Sequence, residues 1–369
     1  MSTPDFKPVY IMGAGASKML GAPLVNDFLS KANQLRYSNR FPPQFIEIFE
    51  NVFDYQAKLF ESRRYLKTNL ENIEVLFSIL EMDFQLKSDN QELQKVRDDL
   101  FTLIIKTLEL SIEDNPEWGT YNRIIKFLAV PDNSTFLTFN YDLSIENALI
   151  NNSYRIEYDL SDDINPAVGS GKFRRVLKLH GSANWIYCSQ YMKKTNTKLE
   201  YCAIQSHDSE NGEHKADCKC HLMNNLIIPP TWNKLNYTSH ITSAWVNSLD
   251  AISTATHLFI IGYSFPRTDV FFDQLFLLAL LQSKNLKKII IVNNSADMEE
   301  YLVNSYFDDY FRPKIKFINR KFEYFNEQLP ANWAGSEKEL EDFISSFDNL
   351  LPKSAFKTPT LPRFPKTIP

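Results

Sequence analysis

Val9-Tyr10-Ile11-Met12-Gly13-Ala14-Gly15-Ala16-Ser17 is an apolar run that stops at two closely spaced glycines and passes into a helix-like segment. A buried first strand that delivers a nucleotide to a helix N-terminus has this form. Gly13 is free to adopt φ > 0, and Gly15 lets backbone N–H groups come within bonding distance of a phosphate. Ala14 sits between them and Ser17 adds a hydroxyl donor. Lys18 stands where the dinucleotide fingerprint has a third glycine. Alone, the stretch reads equally as a phosphate turn or as a plain tight turn.

Further along, short runs of branched and aromatic residues recur at 135–139, 176–179, 226–228, 258–261, 289–292 and 315–318. Helical patterns separate several of them, notably 269–282 and 295–311. Strands that alternate with helices, apolar on both faces, predict an α/β fold: a Rossmann-like, doubly wound parallel sheet. In such sheets the ligand lies off the carboxyl ends of the strands.

Pro23 suits the first turn of a helix predicted over 24–36, where a missing N–H costs nothing. From 44 to 127 the apolar residues Leu70, Ile73, Leu76, Phe77 and Leu80, then Leu93, Val96, Leu100, Leu103 and Ile104, fall at three- and four-residue spacings. No glycine lies between Gly21 and Gly119. These features predict an all-helical insertion over 41–128, its apolar face read as core, dividing a core made of 1–40 and 129–335. A second, polar insertion over 187–225 carries all four cysteines and three of the six histidines. Residues 336–369 read as a helix and a tail; after Asp348 the tail holds five prolines, four basic residues and no acid.

The 369 residues are 44% hydrophobic and 23% charged, as in ordinary globular proteins, with a net charge of −5. That charge gives no global basic field, so direct sequence-specific nucleic-acid binding is not expected. The start is neither basic nor apolar enough for a signal segment, and the longest apolar runs are far shorter than a membrane span. The expectation is a cytoplasmic protein without membrane partners. Four cysteines in a chain of this size do not suggest a disulfide framework.

Several polar residues fall at strand ends. Asn140 ends one strand; its amide suits holding a water or a carboxamide. Asp142, two residues on, is either a helix N-cap or a functional acid. His180, before Gly181, is either structural or the group best poised to take a proton near neutrality. Gly262-Tyr263-Ser264 and Asn293 end the next two strands; such turns accept ribose hydroxyls or simply connect to helices. Asp269 is expected to cap the following helix.

These turns, in this order, resemble the sirtuin family of NAD-consuming enzymes. Gly13-Ala14-Gly15-Ala16-Ser17 is similar to its phosphate turn, Gly21-Ala22-Pro23 to its Gly-Ile-Pro loop, and Thr138-Phe139-Asn140-Tyr141-Asp142 to its Thr-Gln-Asn-Ile-Asp element. His180-Gly181 resembles the catalytic His-Gly, and Gly262-Tyr263-Ser264 the Gly-Thr-Ser ribose turn. The wording is closer to the bacterial sirtuin-like proteins of antiphage defence than to protein deacylases. The resemblance implies a site that binds NAD through Gly13, Ala14, Gly15, Ser17, Pro23, Asn140, Asp142, Gly262, Tyr263, Ser264 and Asn293. Catalysis would fall to His180, Asn140 and Asp142.

Two departures bear on the reaction. The deacylase Asp-Phe-Arg is replaced by Leu24-Val25-Asn26-Asp27, and the Phe-Gly-Glu loop that seats an acyl-lysine strand by Ile228-Pro229-Pro230-Thr231-Trp232. Losing the peptide platform while keeping the NAD elements favours water as acceptor: hydrolysis of NAD to ADP-ribose and nicotinamide. The alternatives are an NAD-dependent protein deacylase and a non-catalytic sensor of NAD or ADP-ribose. An NAD-depleting effector must be held inactive, which implies a homo-oligomer and a regulatory partner such as a helicase-type ATPase. Sirtuins carry a four-thiolate zinc ribbon where the second insertion falls. Here Cys218 and Cys220 pair closely, with His214 and His221 nearby, whereas Cys188 and Cys202 stand far apart. The insertion either binds zinc or has kept its place and lost the metal.

Overall fold

The computed structural model describes residues 6–38, 43–62, 69–87, 90–159, 168–169, 171–188, 223–231, 241–307 and 310–350. Its centre is β1 (Pro8–Met12), buried at every position. On one side lie β2 (Thr135–Thr138) and β5 (Lys172–Lys178), then β3 (Tyr154–Glu157) and the two-residue β4 (Val168–Gly169). On the other side lie β8 (His257–Ile261), β9 (Lys288–Val292) and β10 (Ile315–Ile318). The sheet order is β10-β9-β8-β1-β2-β5-β3-β4, parallel except where β4 pairs with β3. Tyr10 is in register with Phe136 and Phe259, and the three rings pack across the central strands.

The chain leaves β1 towards β2 and later returns to build outward from β8. β1 is therefore where the strand order reverses, and a crevice opens above its carboxyl end. The helices that follow β1 are the short α1 (Ala14–Ser17), α2 (Phe28–Arg36), α3 (Pro43–Ser62), α4 (Ile73–Leu86), α5 (Gln91–Ile112) and α6 (Trp118–Ala129). α5 packs against α2, α3 and α4, and Leu76, Phe77, Leu80, Leu100, Leu103 and Ile104 join the buried core. The later helices are α7 (Ser144–Asn151), α8 (Thr242–Thr254), α9 (Val270–Gln282), α10 (Ala296–Tyr306), α11 (Phe325–Gln328) and α12 (Glu337–Ser346).

Three expectations need correction. Pro23 does not open a helix: α2 begins at Phe28, because the Asp27 carboxylate accepts the Leu24 N–H at 2.5 Å and holds a turn there. The 226–228 run is not part of the parallel sheet. It lies in β7 (Met223–Ile227), which pairs antiparallel with β6 (Gly181–Cys188) in a separate two-stranded sheet. Gly181, at φ +77, turns the chain out of the main sheet just after β5; a Cβ there would meet Leu226 O at 2.1 Å. Helix 295–311 ends early, at Tyr306. Trp232, Cys202, Cys218, Cys220, His214, His221 and the tail after 350 lie outside the described residues.

Among the described residues no helix is long and apolar enough to cross a membrane.

Candidate functional site

The carboxyl ends of β1, β2, β5, β8, β9 and β10 surround one cavity of about 630 Å³. Ala14, Gly15, Ser17, Pro23, Asn140, Asp142, His180, Gly262, Tyr263, Ser264 and Asn293 all line it. Of the residues that the resemblance assigns to NAD binding and catalysis, Gly13 alone is set back, although its carbonyl oxygen reaches Asn140.

The glycine turn is built by close packing against the turn after β8. Gly13 N–H donates to Ile261 O at 3.0 Å and Gly15 N–H to Gly262 O at 2.9 Å. Gly13 has φ −103, so the left-handed conformation expected of it is not used. A side chain is excluded instead because a Cβ on Gly13 would lie 2.6 Å from Tyr263 Cα. Gly262 does need its glycine twice: φ is +58, and a Cβ would meet Ala16 N at 2.5 Å. The Gly15 N–H expected to approach a phosphate is thus engaged within the protein, which leaves the start of α1 and Ser17 as that turn's polar contribution to the cavity.

Asn140 is 9% exposed and locks the turn from β2. Its side-chain NH2 donates to Gly13 O and to Ser17 Oγ, both at 3.0 Å. Since a carbonyl can only accept, the amide orientation is fixed and Oδ1 is its remaining polar atom. Thr138 Oγ1 receives the Asn140 N–H at 3.1 Å and donates to Met12 O at 2.9 Å, coupling the ends of β1 and β2. Asp142 sits one residue ahead of the N-cap position of α7, and its Oδ1 accepts the Ser144 N–H at 3.0 Å. Beneath it, Lys178 Nζ donates to Asp142 O and to Glu146 Oε1, both at 2.7 Å. Burial pushes the Glu146 carboxyl above the ordinary carboxylate range despite the pull of Lys178.

His180, 7% exposed, follows β5 and is set between aromatic rings. Phe139 meets it edge-on at 5.1 Å, and Tyr141 lies tilted at 6.2 Å. His180 Nε2 stands 3.3 Å from Asp269 Oδ1. Asp269 occupies the N-cap position of α9, yet its side chain caps no helix N–H. It turns back to the site, where Oδ2 accepts the Tyr263 hydroxyl at 2.8 Å. Tyr263 stacks on Phe139 at 4.1 Å with an interplanar angle of 10°. Burial, then the Asp269 charge, raises the Tyr263 phenol well above its ordinary range and keeps it a donor. Burial likewise raises Tyr141, whose hydroxyl donates to Ile228 O at 2.5 Å. Asn293 closes its own turn by accepting the Ser295 N–H at 3.0 Å.

Sequence reasoning did not assign Asp269, Tyr141 or residues of α4 and α5 to the site. Ile73, Glu74, Ile104 and Leu108 line the cavity, and Glu74 Oε1 accepts the Thr268 hydroxyl at 3.2 Å. The apolar periodicity of the segment identified core positions but gave no sign of a polar helix end over the crevice. Arg320 and Lys321, just past β10, also line it. Among the described residues no group of three or more His, Cys, Asp or Glu side chains is arranged to hold a metal ion.

Compared with known proteins, residues 134–311 match the family model of the SIR2-like domain. No curated protein matches the chain. The matched span begins just before β2 and includes Asn140, Asp142, His180, Gly262 and Asp269; the glycine turn after β1 lies outside it and interlocks with it through Gly262. SIR2-like domains are NAD-dependent enzymes, and the cavity size, the strand ends and the amide and imidazole within them suit such a ligand. On the strand order, the convergent cavity and the family match together, the chain carries a sirtuin-like, SIR2-like domain across residues 134–311.

Proposed function

We propose that the protein hydrolyses NAD to ADP-ribose and nicotinamide. The observation that carries this reading is the placing of a buried imidazole, His180, and an oriented amide, Asn140, in one cavity at the reversal of strand order. In the proposed reaction the bond from ribose C1′ to the nicotinamide nitrogen breaks, and its electron pair leaves with nicotinamide. Water oxygen bonds to C1′ as oxocarbenium character develops there. The water proton passes to His180, directly or through a ribose hydroxyl, and then to solvent. Asn140 Oδ1 holds the water or the carboxamide, Asp142 orders the loop, and the glycine turn with Ser17 faces the pyrophosphate.

One feature favours hydrolysis over deacylation. Ile228 begins the segment that stands where the resemblance puts the acyl-peptide platform. Its N–H donates to His180 O at 2.7 Å and is not available to a substrate strand, and its C=O is already engaged by the Tyr141 hydroxyl. The reading extends to a bacterial antiphage effector that depletes NAD and is restrained by an oligomer or a regulatory partner such as a helicase-type ATPase. Its support is the likeness of Phe139-Asn140-Tyr141-Asp142 and Gly262-Tyr263-Ser264-Phe265-Pro266 to such proteins. The division into a core with insertions over 41–128 and 187–225 is proposed from the helical periodicity of the first and the polar, cysteine-bearing composition of the second.

Incubation with NAD is expected to release nicotinamide and ADP-ribose in equal amounts, without formation of acetyl-ADP-ribose when an acetylated peptide is added. His180→Ala is expected to abolish release while the folded circular dichroism spectrum of the parent is kept. Asn140→Ala is expected to abolish it as well, and to cost about 1–3 kcal/mol of stability because the turn oxygens lose their donor. Wild-type turnover in either variant overturns the assignment.

A further inference from the structure

Asp269 is a carboxylate only 4% exposed, and it does not do what its position at the start of α9 prescribes. Burying a carboxylate is unfavourable unless it is hydrogen-bonded or paired. Asp269 meets that condition by accepting the Tyr263 hydroxyl on Oδ2, while its Oδ1 lies 3.3 Å from His180 Nε2, a contact that becomes an ion pair when the imidazole is protonated. We propose that Asp269 is a positioning residue for His180: it fixes the imidazole and stabilises the positive charge that His180 acquires on taking a proton. The proposal rests on the NAD-hydrolase reading above and assigns a part of the machinery that this reading leaves open.

The surrounding structure holds the pair in place. Tyr263 is stacked on Phe139, and Phe139 in turn packs edge-on against His180, so carboxylate and imidazole are tied to one aromatic block. Phe265, in the connection between β8 and α9, is buried at φ +48, a left-handed conformation that a bulky side chain rarely adopts. It is wedged among Tyr263, Phe272, Phe276 and Tyr306. A strained residue of this kind persists only where packing over-determines it, and here the packing fixes the segment that presents Asp269.

Other ionisable groups face the same cavity: Lys18 after β1, Tyr141 and Asp142 after β2, Glu74 at the start of α4, and Arg320, Lys321 and Glu323 beyond β10. An oxygen of Asp142 is bonded to the Ser144 N–H, and one of Glu74 to the Thr268 hydroxyl. Asp269 is a carboxylate in direct contact with the imidazole. When His180 takes the proton of the attacking water, the new cation lies beside this anion, and the charge separation is reduced.

The test compares Asp269→Asn with the parent in nicotinamide release from NAD across pH, with His180 titrated in parallel by histidine NMR on the full chain. Asn keeps the shape and an acceptor for Tyr263 but removes the charge. The expected result is a kcat lower by about tenfold to a hundredfold with little change in KM for NAD. The acidic limb of the pH profile and the His180 titration should both move to lower pH, since an imidazolium without its anion gives up its proton more readily. Tyr263→Phe keeps the carboxylate and removes one of its donors, so its limb moves the other way. Unchanged kcat and pH profile in Asp269→Asn, or a loss of activity accompanied only by a lower Tm and an unmoved His180 titration, overturns the proposal. Absence of nicotinamide release from the parent overturns the hydrolase reading instead, while the titration still reports on the Asp269–His180 contact.

Discussion

Gly262 shows how closely single positions are constrained. Its N–H donates to Val292 O at 3.1 Å, its O accepts the Gly15 N–H, and its Cα faces the backbone of Gly15 and Ala16. Gly262→Ala adds left-handed strain of about 1–2 kcal/mol. It also adds overpacking of about 1–3 kcal/mol, because the opposing atoms are backbone and cannot rotate away. The expected outcome is a clear fall in Tm with weaker NAD binding by calorimetry, since the turns after β1 and β8 must separate. Parental values for both would remove the interlock from the account of the site.

α4 connects the helical segment to the chemistry. Asn72 caps it by accepting the N–H groups of Glu74 and Val75 at 2.9 and 3.2 Å, and its own amide donates to Asn26 at 2.8 Å. The Ile73 N–H donates to Val25 O at 3.4 Å, which fastens the helix end to the irregular stretch before α2. Ile73, Glu74, Val25 and Asn26 all line the cavity, so this junction forms one wall of it. Asn72→Ala is expected to cost about 1 kcal/mol in urea unfolding, as an N-cap loss does. It should also raise KM for NAD more than it lowers kcat. A stability loss with KM unchanged would make the junction purely structural.

Across the molecule, the edge of the sheet opposite the cavity carries its own polar network. His257 opens β8, and its Nε2 lies 2.9 Å from Glu341 of α12, while Nδ1 lies 3.1 Å from Thr256 Oγ1. The Glu341 carboxylate can only accept, so Nε2 carries the hydrogen, and in the neutral ring Nδ1 accepts the Thr256 hydroxyl proton. Burial lowers the His257 pKa below its ordinary value, against the pull of Glu341 and Glu337. A base whose folded pKa is depressed stabilises the fold above the unfolded value of about 6.5 and loses that contribution as pH falls towards the folded one. Tm is therefore expected to drop as pH is lowered below about 6.5, and His257→Gln to flatten that slope. An identical slope in the variant would assign the acid sensitivity to other groups. Glu341 itself, partly buried yet held below the usual carboxylate range by Lys288 and His257, contributes stability that is present at neutral pH and is lost only when the pH falls through the carboxylate range.

Local patterns in the chain reached far. The apolar runs ending in Gly13, Asn140 and Gly262 were legible as strands with turns at their carboxyl ends, and His180 as the residue at the end of another strand. Strand propensity and turn chemistry reside in neighbouring residues, so a linear reading finds them. Tertiary structure alone decided what those residues do to one another. Asp269 looks like a helix cap until the start of α9 is brought to the residues after β5, where its carboxylate meets His180 rather than its own helix. Asn140 is an amide at a strand end until packing brings Gly13 and Ser17 to its NH2. The 226–228 run has the composition of a sheet strand, and only the reversal at Gly181 sends it to pair with β6. Each outcome depends on partners distant in sequence, set by strand order and register, and no periodicity in a single segment encodes which distant group will fill a buried hydrogen-bonding position.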